Sequence, residues 1–191
     1  MSTTPRLICL SGPNAALRST VAQLLHDDFR YHVMRLADPV HDMVTALFQH
    51  LPEADEHLTD PTLRAVPLPS IDRSVNELTA SLLVEWAPYQ PRLLEQIATA
   101  AILRAQELDP TTRIVLADAL QPREIAMARN LGAEIWYVNP DRMLDRSMLP
   151  VDLLLIDSVL DCPPAQPAQI AREVAFALHE FDTRPARQEA A

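Results

Sequence analysis

The sequence predicts a three-layer α/β fold, a parallel sheet of about five strands with helices on both faces. Three observations carry it. Apolar runs of strand length recur along the chain, as in "LICLS", "RIVLAD" and "EIWYV", and runs without polar alternation suit strands covered on both sides. Between them lie stretches whose apolar residues repeat at helical spacing. Strands that alternate with helices need crossover connections, which build parallel sheets whose ligands bind at the carboxyl ends of the strands.

Residues 6–11 read as a central strand ended by Gly12 and Pro13, and Leu17, Val21, Leu24, Leu25 and Phe29 mark the helix after it. Residues 32–37 are the second strand. Asp38 is expected to cap the next helix, with Pro39 in its first turn and Val40, Met43, Val44 and Leu47 on its apolar face. Residues 51–73, which hold Pro52, Pro61, Pro67 and Pro69, show no period and read as one long loop. Ser74 and Glu77 have the spacing of a capping box and open a helix to Trp86.

A further helix starts near Pro91, with Leu93, Leu94, Ile97, Ala101 and Leu108 on one face. Residues 113–118 form the third strand, and the helix from Pro122 to Leu131 stops at Gly132, a residue suited to a helix C-terminus. Residues 134–138 are the fourth strand, residues 139–150 a polar connection, and residues 152–157, "DLLLID", the last strand. A final helix from Pro167 to Phe181 carries Ile170, Val174 and Leu178. The expected organisation is a single domain over residues 1–181 and a polar, frayed tail over residues 182–191.

Composition narrows the function. No apolar run approaches the ~20 residues that span a bilayer, and the N-terminus lacks the layout of a secretory signal, so a cytoplasmic protein without membrane attachment is expected. Cys9 and Cys162 are too few for a disulfide framework and have no metal-ligand spacing. A net charge of -10 argues against general nucleic-acid binding, while a small phosphorylated ligand would need only a few arginines. All 16 basic residues are arginine, which excludes lysine in any role. Gly12 and Gly132 are the only glycines, so few positions admit close backbone approach to a ligand.

The segment "LICLSGPNAALRST" has the strand, turn and helix start of a phosphate-binding loop. In the pattern G-x-x-x-x-G-K-[ST], Gly12 supplies the first glycine, but Leu17 stands at the second and Arg18 at the lysine. Gly12, Asn14, Arg18, Ser19 and Thr20 are the candidate phosphate-binding residues, with Ser19 or Thr20 able to bring a hydroxyl to a magnesium ion. The alternative is a plain strand-to-helix turn that keeps the outline of such a loop.

The blocks "GPNAALRST", "LADPVHDMVTALF", "LTDPTLRAVPLP", "SVNELTASLLVEW" and "IVLADALQPREIAMARNLGAEIWYV" resemble, in order and spacing, the deoxynucleoside monophosphate kinases of bacteriophages, within the P-loop nucleotide kinases. The resemblance runs over residues 6–160. It implies a P-loop kinase-like fold, ATP as donor, magnesium, and a deoxynucleoside monophosphate as acceptor. Asp118, Pro122 and Glu124 match the family's D-V-R-F-P-N-E segment, in which Leu120 replaces the arginine. By the same resemblance Arg18, Asp118, Arg142 and Arg146 would act in phosphoryl transfer, Ser19 and Asp118 would hold magnesium, and Asp38, His41, Glu85 and Trp86 would contact the acceptor. Bland roles stand beside these: salt-bridged surface for Arg142 and Arg146, helix surface for His41, and turn or helix capping for Asp118 and Asp38.

Phosphoryl transfer depends on preorganised donors, and losing one costs on the order of 10²–10³ in rate. With Leu17, Arg18 and Leu120 all departing from the pattern, the first expectation is a degenerate kinase homologue that binds a protein partner or a small nucleotide. The second is an active, ATP- and magnesium-dependent kinase in which Arg18 replaces the lysine. A homo-oligomer is compatible with either.

Overall fold

The computed structural model describes residues 6–49, 51, 53–60, 62–86, 92–139, 156–162 and 167–183. In chain order the elements are β1 (Leu7–Ser11), α1 (Ala15–Phe29), β2 (His32–Met34), α2 (Asp38–Phe48), α3 (Ala54–Thr59), β3 (Pro67–Leu68), β4 (Arg73–Ser74), α4 (Val75–Trp86), α5 (Leu93–Leu108), β5 (Ile114–Leu116), α6 (Pro122–Asn130), β6 (Glu134–Asn139), β7 (Ser158–Asp161) and α7 (Pro167–Thr183). They fall into two compact units: the chain through Arg35 joined by the chain from Ala98 onward, and Leu36–Ile97.

The first unit holds the predicted sheet. Five strands lie in the order β2-β5-β1-β6-β7, and every neighbouring pair is parallel. All five residues of the central strand β1 are buried, because both faces of the sheet are covered. Alternate side chains serve the two faces. Ile8 and Leu10 join Val115, Trp136, Val138 and Leu160 under Leu17, Val21 and Leu25 of α1 and Ile170, Val174 and Leu178 of α7. Leu7 and Cys9 point the other way, where α6 packs on β1 and β6 through the buried Ile125 and Ala128.

Helix α6 ends as predicted. Gly132 takes φ +81, and the Ala133 amide donates to the Ala128 carbonyl at 3.0 Å, closing the last turn. At the far edge, the sequence places the last strand at residues 152–157, of which residues 152–155 lie outside the described residues; the strand described there, β7, is Ser158–Asp161. Asp157, just before it, is held firmly. Its amide donates to the Ile135 carbonyl at 2.9 Å, while its carboxylate accepts from the Ile135 amide at 2.9 Å and pairs with Arg129 at 2.6 Å. This hook joins the chain to β6 directly ahead of the paired residues Ser158–Asp161.

The second unit is built on Val44, Ala54, Leu68 and Val75, with Phe48, Leu51, Leu58 and Leu82 packed against them. Here the expected loop over residues 51–73 is replaced by α3 and the β3–β4 hairpin. Ala54 and Leu68 are fully buried and anchor these short elements, which are too brief to show a period in sequence. The capping box is present: the Ser74 amide donates to Glu77 Oε2 at 2.9 Å, and the Glu77 amide to Ser74 Oγ at 3.2 Å.

Asp38 is not a cap. Ala37 precedes the helix, its carbonyl accepting from the Val40 and His41 amides at 3.0 Å, and Asp38 lies in the first turn, where its charge suits the helix dipole. In α5 the buried residues are Ala98 and Ile102, whereas Ile97 and Leu108 are exposed. The buried positions lie one residue on from Ile97 and Ala101 of the expected face, while Leu93, Leu94 and Ala101 are half-buried. Among the described residues no helix is long and apolar enough to cross a membrane.

Candidate functional site

The carboxyl ends of β1 and β5 and the start of α1 all belong to the first unit, and they meet where the sequence places a phosphate loop. Gly12 leaves β1 at φ +127, and a Cβ there would stand 2.4 Å from the Val138 carbonyl oxygen. Its glycine is thus required by the close approach of β6, irrespective of any ligand.

Asn14 caps α1. Its backbone is extended, its Oδ1 accepts from the Leu17 amide at 3.1 Å, and its carbonyl accepts from the Arg18 amide at 3.1 Å. Two amides of the turn are thereby taken by Asn14. Leu17 does not crowd the loop, since its side chain lies in the core with Ile8, Leu10 and Val21. In sequence, Asn14 reads as a phosphate-binding residue; the capping role, whose signal is an asparagine directly before a helical period, is missed there.

Arg18 is turned inward and only 4% exposed. Its Nη1 donates to the Gly12 carbonyl, and its Nε donates to the Ala117 carbonyl at 3.4 Å, just past the end of β5. Burial lowers its pKa from the ordinary value, and the Asp118 carboxylate acts against that shift by favouring the charged form. The guanidinium, charged at any physiological pH, is thus engaged with main-chain oxygens. Ala117, which links β5 to this arginine, carried no signal in sequence because only its carbonyl takes part.

Ser19 is exposed on α1, and Thr20 Oγ1 donates to the Ala16 carbonyl at 3.0 Å within the helix. Asp118 is half-buried beside Arg18. A magnesium ion needs oxygen ligands free to converge on it. Here the acidic member faces a fixed positive charge and one hydroxyl is spent inside the helix, so this donor set does not fit the ion.

Glu124 supports the fold around this point. Glu124 Oε2 accepts from the Leu120 and Gln121 amides, both at 2.8 Å, and so holds the start of α6. The Leu120 side chain is exposed. Beneath, burial pushes the Cys9 thiol up to about 12, with Asp118 and Glu124 adding to the rise and Arg129 opposing it.

The expected acceptor residues Asp38, His41, Glu85 and Trp86 belong to the second unit. Asp38 and His41 are half-buried in the first turn of α2, and Glu85 is exposed near the end of α4, which packs on α2. The Trp86 side chain lies outside the described residues, as do Arg142 and Arg146. The structure therefore brings Gly12, Arg18 and Asp118 together, with Asn14 at the adjoining helix start.

No protein-family model matches the chain, and no curated protein does. Solved structures similar to it include a dephospho-CoA kinase from Campylobacter jejuni, at 11% identity and a TM-score of 0.48, covering 93% of this chain and 97% of that one. Another is an unliganded sugar kinase from a Janibacter species, at 16% identity and a TM-score of 0.38, covering 94% of this chain and 99% of that one.

Proposed function

We propose that this chain is a degenerate homologue of the deoxynucleoside monophosphate kinases, a cytoplasmic protein that binds a protein partner or a small nucleotide and does not carry out efficient phosphoryl transfer. One observation supports the reading above the rest: the Arg18 guanidinium, at the position of the family's loop lysine, is buried on the Gly12 and Ala117 carbonyls. A loop cation that stabilises a transferring phosphoryl group must face the ligand. The capping of the Leu17 amide by Asn14 supports it further, by withdrawing a donor from the turn.

The active-kinase reading keeps one support, the nearness of Asp118 to Arg18 at the strand ends where such chemistry is done. Calorimetric titration of the folded protein with ATP and magnesium, and with each deoxynucleoside monophosphate, separates the two. The degenerate reading expects no binding of a triphosphate and a monophosphate together. Binding of both, followed by turnover that Arg18→Ala abolishes, would overturn it.

A further inference from the structure

We infer that the Arg18 guanidinium fills a cation position at the carboxyl ends of β1 and β5, so that any anion taken by this loop is bound without a divalent metal ion. Two carbonyl oxygens from two chain segments accept from the guanidinium, those of Gly12 and Ala117, and the half-buried Asp118 that follows Ala117 adds a negative charge that favours the charged arginine. Carbonyl and carboxylate oxygens are the ligands that hard cations take. The guanidinium is a delocalised cation that meets such oxygens by N–H donation, and its own side chain tethers it there.

Occupancy by Arg18 and by a metal ion are mutually exclusive. A divalent ion among the same oxygens would meet a buried positive charge that cannot be removed by deprotonation. Swinging Arg18 out would strip two buried carbonyls of their donor. Ser19, the hydroxyl that the resemblance assigns to magnesium, is exposed on α1. The inference rests on the same buried arginine as the proposed function, but its test uses no nucleotide.

The test is rescue by free guanidinium. In Arg18→Ala the vacated position should accept the ion, whose denaturing action is negligible at about 10 mM. At ten times its dissociation constant, guanidinium should raise the unfolding midpoint of the variant by roughly 3–6 °C. Tetramethylammonium should not, and the unsubstituted protein should respond to neither guanidinium nor magnesium. A rescue no larger than that by tetramethylammonium, or a magnesium-specific rise in the unsubstituted protein, would overturn the inference.

Should Arg18→Ala fail to fold, the Arg18 Nε–H resonance of the isotopically labelled native chain decides. The expected signal is protected from exchange with water and unmoved by magnesium; exchange as fast as that of surface arginines, or a shift on adding magnesium, overturns the inference. Nucleotide binding seen by calorimetry would overturn the functional reading and leave these signatures in place.

Discussion

Arg18 donates from Nη1 to the carbonyl of Gly12, six residues earlier, and so ties the first turns of α1 back onto the end of β1. Its Nε extends the tie to Ala117 and the neighbouring strand β5. The bond is a staple of the loop as much as a replacement for a ligand.

Arg18→Met keeps an apolar stem of similar length and removes every donor. It should lower stability by about 1–3 kcal/mol, the cost of leaving buried carbonyls without partners. Arg18→Lys should recover only part, because an ammonium cannot reproduce the fork that reaches two carbonyls. Urea denaturation measures both. A loss below about 0.5 kcal/mol in Arg18→Met, the range of ordinary surface substitutions, would show that the side chain is not held.

The two glycines should respond differently to alanine. At Gly12 the new Cβ meets the Val138 carbonyl oxygen at 2.4 Å, which is backbone and cannot swing aside. At Gly132 nothing lies within 4 Å, and only the positive φ of +81 opposes the change. Gly132→Ala should therefore lose about 1 kcal/mol, and Gly12→Ala several times that or fail to fold. Equal effects on the denaturation midpoint would mean that β6 does not approach the loop so closely.

The sheet was legible because its strands are covered on both faces and so appear as bare apolar runs, as in Ile8–Leu10 of β1 and Ile135–Val138 of β6. Capping signals were legible too, since Ser74 with Glu77 and the glycine after α6 act through local chemistry. What sequence hid depends on distant partners. Directly ahead of β7, Asp157 reaches Arg129 and Ile135, and no local pattern encodes that reach. At the site, the departure of Leu17 and Arg18 from the loop pattern was visible. The inward course of Arg18 was not, because it depends on Ala117, remote in sequence and contributing only its backbone.

Asp157 should be sensitive to substitution. Its side chain is 2% exposed, pairs with Arg129 at 2.6 Å and accepts the Ile135 amide. Asp157→Ala removes both interactions and should lose about 3–5 kcal/mol. Asp157→Asn keeps an acceptor for the amide and should lose less. Among the described residues Arg129 Nε is buried without a partner, so the ion pair is already incompletely satisfied. Arg129→Met in the Asp157→Asn background should then regain stability, and a double-mutant cycle in chemical denaturation measures the coupling.

Both thiols should be inert in the folded protein. Burial raises Cys9 to about 12 and Cys162 to about 11, from an ordinary 9.0. Near pH 8 a thiol reagent should react only as fast as the protein opens, and at once in denaturant. The sign of the pH effect follows. Between pH 9 and about 12 the folded state holds protons that the unfolded thiols release, so stability is full below 9 and falls as pH rises through that window. Fast labelling of native protein near pH 8 would place a thiol at the surface.

Reopening the loop should work through Asn14 and not through Leu17. The sequence pattern suggests Leu17→Gly with Arg18→Lys, which restores the phosphate-loop consensus. Leu17, however, is a core residue, 6% exposed, and its removal with added helix-interior glycine should lose about 3–5 kcal/mol, a large share of the stability of an ordinary domain. Asn14→Gly frees the Leu17 amide at a few tenths of a kcal/mol, since glycine is tolerated at a helix N-cap. Asn14→Gly with Arg18→Lys should stay folded and gain measurable pyrophosphate binding by calorimetry, while the consensus pair should lose folded structure by circular dichroism. If the consensus pair folds and binds while the Asn14 pair stays silent, the Leu17 side chain is what closes the loop, and the capping of its amide is incidental.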